Sequence, residues 1–134
     1  MIMSGGCLCG KLRYRIEGEP LFTAICHCRH CQKQSGSAFS VVVGVPPASL
    51  TITGISKVYA DVGESGQPVG RRFCPECGSL VTTEIAAMPD FVAVKAGTLD
   101  EPASLKPGMH IWCDHALPWV QFDASLPRMP RNPG

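Results

Sequence analysis

Cysteine spacing constrains this chain more than any other feature of its sequence. Three close sets contain seven of the eight cysteines: Cys7-x-Cys9, Cys26-x-Cys28-x-x-Cys31 and Cys74-x-x-Cys77. A disulfide between cysteines separated by one residue would be strained, because the bond requires a specific distance and orientation of the two side chains. Clustered thiols in a reduced protein are typical of metal ligation. We therefore interpret the three sets as metal ligands, with a disulfide framework as the alternative.

Length and composition limit the other classes of protein. The 134 residues suit one domain spanning 1–134, whose proline-rich end, 127–134, is predicted to be a loose tail. A net charge of +1, with scattered charges, argues against a nucleic-acid binder. No apolar run approaches the ~18 residues of a membrane span. Residues 1–7 lack the pattern of a signal peptide, so we expect a cytoplasmic location with reduced cysteines.

Glycine and proline divide the chain into short apolar runs. There are 14 glycines and 12 prolines, and no segment shows the long apolar period of a helix. Short runs between turn residues predict a mostly-β domain. The predicted strands are 11–17, 21–25, 38–45, 50–53, 56–62, 69–73, 80–85, 91–96, 109–113 and 119–122. Residues 29–36 are predicted to form a short helical turn.

The first and last cysteine sets complement each other. Each supplies two thiolates, and together Cys7, Cys9, Cys74 and Cys77 make the four-thiolate shell that is usual for structural zinc. The run Cys74-Pro75-Glu76-Cys77-Gly78 is itself typical of a zinc knuckle, in which the final glycine permits a positive φ. Such a site would join the first strand to the middle of the chain.

The middle set supplies three thiolates and no obvious fourth ligand. In one interpretation Cys26, Cys28 and Cys31 hold a zinc whose remaining position is open to water or to a substrate thiol, as in catalytic sites. In the alternative the site is closed by a protein side chain, with four candidates: His27, His30, Cys113 and His115.

Three thiolates favour the activation of a thiol over hydrolysis. They donate strongly and leave zinc a weak Lewis acid, whereas soft ligands bind well together and a metal-bound thiol is deprotonated near neutral pH. Residues 21–60 contain no Asp or Glu but include Arg29, Lys33 and Lys57. These cations would suit a substrate with carboxylates, or they would only offset the thiolate centre. The fold could import a carboxylate base, Glu76 or Glu84.

A few other polar residues are candidates for contacts to a ligand. Gln32, Lys33 and Ser37 follow the third thiolate directly, and we predict either contact with a bound peptide or a role in forming the turn. Lys95 interrupts an apolar strand, and we predict an edge position with its ammonium group in water.

The order of the motifs resembles the glutathione-dependent formaldehyde-activating enzyme family. The residues that carry this resemblance are Gly5-Gly6-Cys7-Leu8-Cys9-Gly10, Cys26-His27-Cys28-Arg29-His30-Cys31-Gln32-Lys33, Gly36-Ser37-Ala38-Phe39, Phe73-Cys74-Pro75-Glu76-Cys77-Gly78 and Ala96-Gly97-Thr98-Leu99-Asp100. The resemblance covers nearly the whole chain and implies a compact, mostly-β fold of the Mss4-like type, made of short antiparallel strands held together by zinc–cysteine sites.

The resemblance also implies an activity. A structural zinc would be held by Cys7, Cys9, Cys74 and Cys77, and a second zinc by Cys26, Cys28 and Cys31, where glutathione enters. The protein would be a carbon–sulfur lyase that joins glutathione to formaldehyde as S-(hydroxymethyl)glutathione, with His27, His30 or water as general acid. Its partners would be a small thiol and an aldehyde, with monomer and dimer both open. The alternatives are a non-catalytic zinc module that binds a protein, and a thiolate that scavenges electrophiles.

Overall fold

The computed structural model describes residues 1–132 of the chain, and ten strands and one α-helix lie in that range. The strands are β1 (Ile2–Gly6), β2 (Leu12–Glu17), β3 (Phe22–Cys26), β4 (Ser40–Val45), β5 (Leu50–Gly54), β6 (Lys57–Val62), β7 (Pro68–Phe73), β8 (Leu80–Ile85), β9 (Val92–Lys95) and β10 (Met109–Ile111). The helix α1 covers Arg29–Ser35, and 3-10 turns occur at Pro47–Ser49, Ala96–Thr98, Pro102–Ser104 and Cys113–His115. None of the helices in this range is long and apolar enough to cross a membrane.

The strands form two sheets of unequal size. The smaller sheet has the order β1-β2-β5, and the larger has the order β10-β3-β4-β9-β8-β7-β6. Neighbouring strands are antiparallel except for β10 and β3, which are parallel. The predicted mostly-β fold of short antiparallel strands with clustered cysteines is therefore confirmed.

Two apolar clusters cover opposite faces of the larger sheet. Side chains alternate along a strand, so the consecutive residues Val42 and Val43 of β4 point to different faces. The first cluster packs the smaller sheet onto the larger one and includes Leu12, Tyr14, Ile16, Val43, Val94, Cys7 and Cys74. The second cluster contains Ala24, Val42, Ala93, Ile111, Cys26 and Cys31. The first cluster thus contains cysteines of the first and last sets, and the second contains cysteines of the middle set.

The middle and last cysteine sets lie at the same end of the larger sheet. Cys26 is the last residue of β3, and Cys74 follows the last residue of β7. In an antiparallel sheet the end of one strand adjoins the start of its neighbour, so the end of β3 adjoins the start of β4 and the end of β9. The start of β8 and the end of β7 complete this row.

One strand is missing from the sequence prediction. β1 was not predicted, because Ser4, Gly5 and Gly6 have low strand propensity. Packing requires a glycine at position 5, because a Cβ atom on Gly5 would collide with the Tyr14 ring and with the Thr98 carbonyl. The strand forms because β2 supplies a complete antiparallel partner.

The predicted strand at 119–122 is wrong. Residues 119–122 form no strand, and the amide of Val120 donates instead to the carbonyl of Leu117 in a turn (3.0 Å). Trp119 is 71% exposed, so no sheet partner covers the aromatic residue that suggested a strand.

The sequence suggests a loose tail at the end of the chain. As far as the structure describes it, this segment is hydrogen-bonded to β10 and to the 3-10 turn after it. The amides of His110 and Asp114 donate to the carbonyls of Pro127 and Pro130 at 2.9 and 3.1 Å, and the amide of Met129 donates to the carbonyl of His110 at 2.8 Å. Proline has no N–H group but retains its carbonyl, so a proline-rich segment can accept such bonds. Pro133 and Gly134 lie outside the described residues.

Candidate metal centres

The helix α1 places two of the three thiols of the middle set on one turn. Cys28 is the N-terminal cap, and its sulphur accepts a hydrogen bond from the amide of Cys31 at 3.2 Å. The helix ends at Gly36, whose φ of 68° suits glycine, and the amide of Gly36 donates to the carbonyl of Gln32. Cys26 comes from the end of β3, directly before this turn.

The three thiols of the middle set converge on one point. Their sulphur atoms all lie within 4.8 Å of one another, and those of Cys26 and Cys31 are 3.5 Å apart. A tetrahedral ion with zinc–sulphur bonds of about 2.3 Å separates its sulphurs by about 3.8 Å. The sulphur positions therefore fit a single metal ion. Cys26 and Cys31 are buried, whereas Cys28 is half-buried and forms the more open side.

The other four thiols converge in the same way. Cys7, Cys9, Cys74 and Cys77 have sulphurs within 4.8 Å of one another, with 3.5 Å between Cys7 and Cys9 and 3.7 Å between Cys9 and Cys74. The set thus brings together residues that are far apart in sequence, and it could hold a metal ion with four sulphur ligands.

Backbone and side-chain donors support the four-thiol set. The amide of Leu12 donates to the Cys7 sulphur at 3.2 Å, and the amide of Leu8 donates to the Ser79 hydroxyl at 3.0 Å. Hydrogen bonding with Ser79 lowers the pKa of Cys77 to about 5. Gly78 has a φ of 78°, the left-handed conformation that the knuckle sequence predicts. The contacts to Cys7 and Cys77 favour their thiolates, the form in which cysteine binds metals.

The three histidines proposed as a fourth ligand of the middle set have other partners. The Nε2 atom of buried His27 lies 3.0 Å from Nδ1 of His110, and the Nδ1 atom of His30 lies 2.9 Å from Asp61. The Nε2 atom of His115 lies 3.8 Å from Glu64. Within residues 1–132, no histidine, cysteine or acidic side chain joins the three sulphurs as a fourth member of the group.

Two buried cations that the sequence did not indicate lie near the middle set. Hydrogen bonding with Cys26 and Cys28, and then the charges of Lys95 and Arg71, lower the pKa of Cys31. Lys95 and Arg71 are only 7% and 6% exposed. The predicted solvent position of Lys95 is therefore wrong: its Nζ donates to the Ser40 hydroxyl at 2.9 Å, on the face of the sheet that Cys26 shares. In the sequence, the signal for this buried position was a charged residue within an otherwise apolar strand.

The neighbourhood of the middle set also contains a carboxylate, which is neither Glu76 nor Glu84. Glu76 lies 3.9 Å from Lys11 and Glu84 lies 3.3 Å from Arg72, whereas Asp61 accepts a hydrogen bond from Nε of Arg71 at 2.8 Å. Asp61 directly follows the acid-free stretch of the sequence, and the pairing of β6 with β7 brings it to Arg71. The acid-free environment predicted from residues 21–60 is therefore incomplete.

An Asp61→Asn variant is expected to lower the free energy of unfolding by about 3 kcal/mol, because it leaves the buried guanidinium of Arg71 without its carboxylate. Burial raises the pKa of Asp61, but hydrogen bonds from His30 and Arg71 outweigh it and lower the pKa to about 2, below the ordinary 3.8. The stabilisation is therefore present above about pH 4 and lost as the pH falls towards 2. Urea unfolding at pH 7 and pH 3 measures both effects.

Asp100→Asn is the matched control for this prediction. Asp100 pairs with Arg13 at 2.6 Å on the surface, where both side chains are at least 42% exposed. Exposed pairs contribute about 0–1 kcal/mol, so its loss is expected to be much smaller. Equal losses in the two variants, or a loss at Asp61 that is independent of pH, would contradict the role of the buried pair.

The three residues predicted to contact a ligand differ in exposure. Gln32 is buried, and its side-chain amide donates to the carbonyls of His27 at 2.8 Å and His115 at 3.0 Å. It therefore stabilises the loop around the middle set, which corresponds to the turn-forming alternative. Lys33 and Ser37 are exposed on and after α1, so contact between them and a ligand stays a prediction.

The family model described as glutathione-dependent formaldehyde-activating enzyme matches residues 2–115. The chain belongs to this family. The matched segment contains both cysteine groups and α1, so membership applies to the whole region that forms the two candidate metal centres.

Proteins similar to the chain include a curated relative and a solved structure. One, from Emericella nidulans and provisionally named glutathione-dependent formaldehyde-activating enzyme, is 33% identical over 72 residues, which are 54% of this chain and 36% of that protein. The chain thus spans about a third of the length of this curated relative. The other is a crystal structure of a Rhodobacter sphaeroides protein, with a TM-score of 0.58 and 18% identity, covering 78% of this chain and 92% of that chain. That likeness concerns the fold alone.

Proposed function

We propose that this protein is a zinc-dependent carbon–sulfur lyase that joins a small thiol, glutathione, to a small aldehyde such as formaldehyde. One observation carries the proposal: the sulphurs of Cys26, Cys28 and Cys31 converge within 4.8 Å, and no fourth protein ligand joins them among residues 1–132. A three-thiolate centre with one open position suits the capture of a further thiol. Membership of the family supports glutathione and formaldehyde as the two substrates.

The two cysteine groups would have different roles. We propose that Cys7, Cys9, Cys74 and Cys77 hold a structural zinc, since four sulphurs form a closed tetrahedral shell. Cys26, Cys28 and Cys31 would hold the catalytic zinc, which, when bound, lowers the pKa of a thiol at its open position. The buried charge of Arg71 would balance part of the negative charge of the thiolates.

The reaction itself needs little from the chain beyond binding and orientation. The thiol loses its proton, its sulphur attacks the carbonyl carbon, and one carbon–sulphur bond forms while the carbonyl π pair moves to oxygen. That oxygen then takes a proton. His27 is buried, whereas the side chain of His30 is 43% exposed, so His30 or water is better placed to return the proton. Eight free thiols suit a reducing compartment, and we propose the cytoplasm.

The test compares adduct formation with the spontaneous reaction. Purified, zinc-loaded protein is expected to accelerate the formation of S-(hydroxymethyl)glutathione from glutathione and formaldehyde in proportion to the protein concentration. The reverse reaction should be accelerated by the same factor, because a catalyst does not change the equilibrium. Rates that equal the spontaneous ones in both directions, for glutathione and for simpler thiols, would defeat the proposal.

A further inference from the structure

A cavity of about 500 Å³ opens between the two cysteine groups. It lies at the end of the larger sheet where β4 and β8 begin and β9 ends, and its wall includes Ser35, Ser40, Ser79, Lys95 and Thr98. Cavities of roughly 300–1,000 Å³ are typical of sites for small molecules. The volume is therefore sufficient for part of a peptide-sized ligand.

The wall of the cavity is connected directly to the middle cysteine set. The Ser35 hydroxyl donates to the carbonyl of Cys31 at 2.6 Å, one helical turn away. Ser40 lies opposite Cys26 in the pairing of β3 with β4, and opposite residues share a face of the sheet. A ligand in this cavity would thus lie beside the scaffold of two of the three thiols.

Lys95 is the one charged residue in the cavity wall formed by the described part of the chain. Lys95 is only 7% exposed, and its Nζ donates to the neutral hydroxyl of Ser40 at 2.9 Å. None of the ion pairs found within residues 1–132 includes it. An ammonium group has three N–H donors, so two remain for a ligand.

A buried cation without a carboxylate partner favours an anionic ligand. Removing an ammonium group from water is unfavourable unless opposite charge and hydrogen bonds replace the lost hydration. Burial lowers the pKa of Lys95, and the charges of Cys31 and Cys26 offset this in part, so the thiolates of the middle set supply some of the opposite charge. The other residues of the wall are neutral: Gln34 and the serine and threonine side chains offer amide and hydroxyl groups, whereas Phe39, Val41 and Leu80 are apolar.

We propose that this cavity binds a carboxylate of the thiol substrate and that Lys95 is the residue that selects acidic thiols over neutral ones. The proposal rests on the proposed function, because it identifies which part of the thiol lies away from the metal centre. The thiol would point to Cys26, Cys28 and Cys31, and the carboxylate would accept hydrogen bonds from the ammonium group of Lys95.

Binding of S-methylglutathione tests the proposal without a reactive thiol. Calorimetry on the zinc-loaded protein is expected to show about tenfold weaker binding to Lys95→Met, because a hydrogen bond to a charged group is lost. Lys106→Met is the matched control, since Lys106 is exposed and lies outside the cavity wall, and its affinity should equal that of the unmodified protein. Metal content and unfolding are measured first for each variant.

Kinetics with two thiols separate substrate selection from charge balance. The KM for glutathione should rise about tenfold in Lys95→Met, while the KM for 2-mercaptoethanol, which has no carboxylate, should change less than about twofold. Equal losses for the two thiols would overturn the proposal, because they would assign Lys95 to charge balance at the thiolates. Unchanged binding of S-methylglutathione would overturn it as well.

A comparison of ligands on the unmodified protein is decisive if Lys95→Met does not fold. The dimethyl ester of S-methylglutathione is expected to bind about tenfold more weakly than S-methylglutathione, and equal affinities would overturn the proposal. The two proposals fail differently. Discrimination between these ligands without any acceleration of adduct formation would support the carboxylate site and defeat the enzymatic function. Acceleration without discrimination would defeat the carboxylate site alone.

Discussion

A Cys74→Ser variant is expected to lose most of the stability of the fold. Cys74 is fully buried, and its sulphur converges with those of Cys7, Cys9 and Cys77. A serine hydroxyl is a poor ligand for a soft metal ion, so the variant would lose the link between the start of the chain and the β7–β8 turn. Structural zinc contributes about 10 kcal/mol or more in small domains, which is comparable with a whole domain's stability of about 5–15 kcal/mol. We expect a loss of at least about 5 kcal/mol.

Thermal unfolding and the ratio of zinc to protein measure this effect. The matched control is Cys113→Ser, because Cys113 is half-buried and belongs to neither cysteine group. Its unfolding temperature and zinc ratio should stay close to those of the unmodified protein. A Cys74→Ser variant that unfolds at the same temperature as Cys113→Ser would show that this centre does not hold the fold together.

Cys31→Ser is expected to remove activity while the protein remains folded. Cys31 belongs to the second apolar cluster, whereas the four-thiol group lies with the first, so the change leaves the proposed structural centre intact. Loss of one of three thiolates should release the metal ion that activates the substrate thiol. A metal ion supplies several kcal/mol of activation, so we expect a rate loss of about a hundredfold or more.

The zinc ratio distinguishes this result from general damage. It should fall from about two to about one per chain in Cys31→Ser, since only the centre with three protein ligands is affected. Secondary structure by circular dichroism should match that of Cys113→Ser. Full activity in Cys31→Ser, or an unchanged zinc ratio, would contradict the assignment of the metal centre to this set.

The cysteine groups could be predicted because their signals are local. Ligands on one turn must be close in sequence, so the spacings of Cys26, Cys28 and Cys31 and of Cys74 and Cys77 indicate convergence before the fold is known. Strands with clean alternation were also predictable: Leu12, Tyr14 and Ile16 are all buried in β2, as their pattern indicates. The glycine-containing β1 was not, because its strand conformation depends on a partner and not on its own residues.

The environment of the middle set could not be predicted, because it depends on which strands become neighbours. Asp61 reaches Arg71 through the pairing of β6 with β7, and Lys95 reaches Ser40 through the pairing of β9 with β4. These contacts join residues that are 10 and 55 positions apart. Nothing in the local sequence of Asp61 or Lys95 specifies that pairing, which follows from the order of strands in the sheet.

The division of the cysteines between two faces of one sheet has a consequence for how the fold responds to the loss of a metal ion. Cys7 and Cys74 pack with one apolar cluster, and Cys26 and Cys31 pack with the other, so the strands between them act as a partition. Under the proposed function, loss of an ion from Cys26, Cys28 and Cys31 would not disturb the side chains packed around Cys7 and Cys74. We therefore expect the chain to stay folded when this ion is lost and to regain activity when the ion is supplied again.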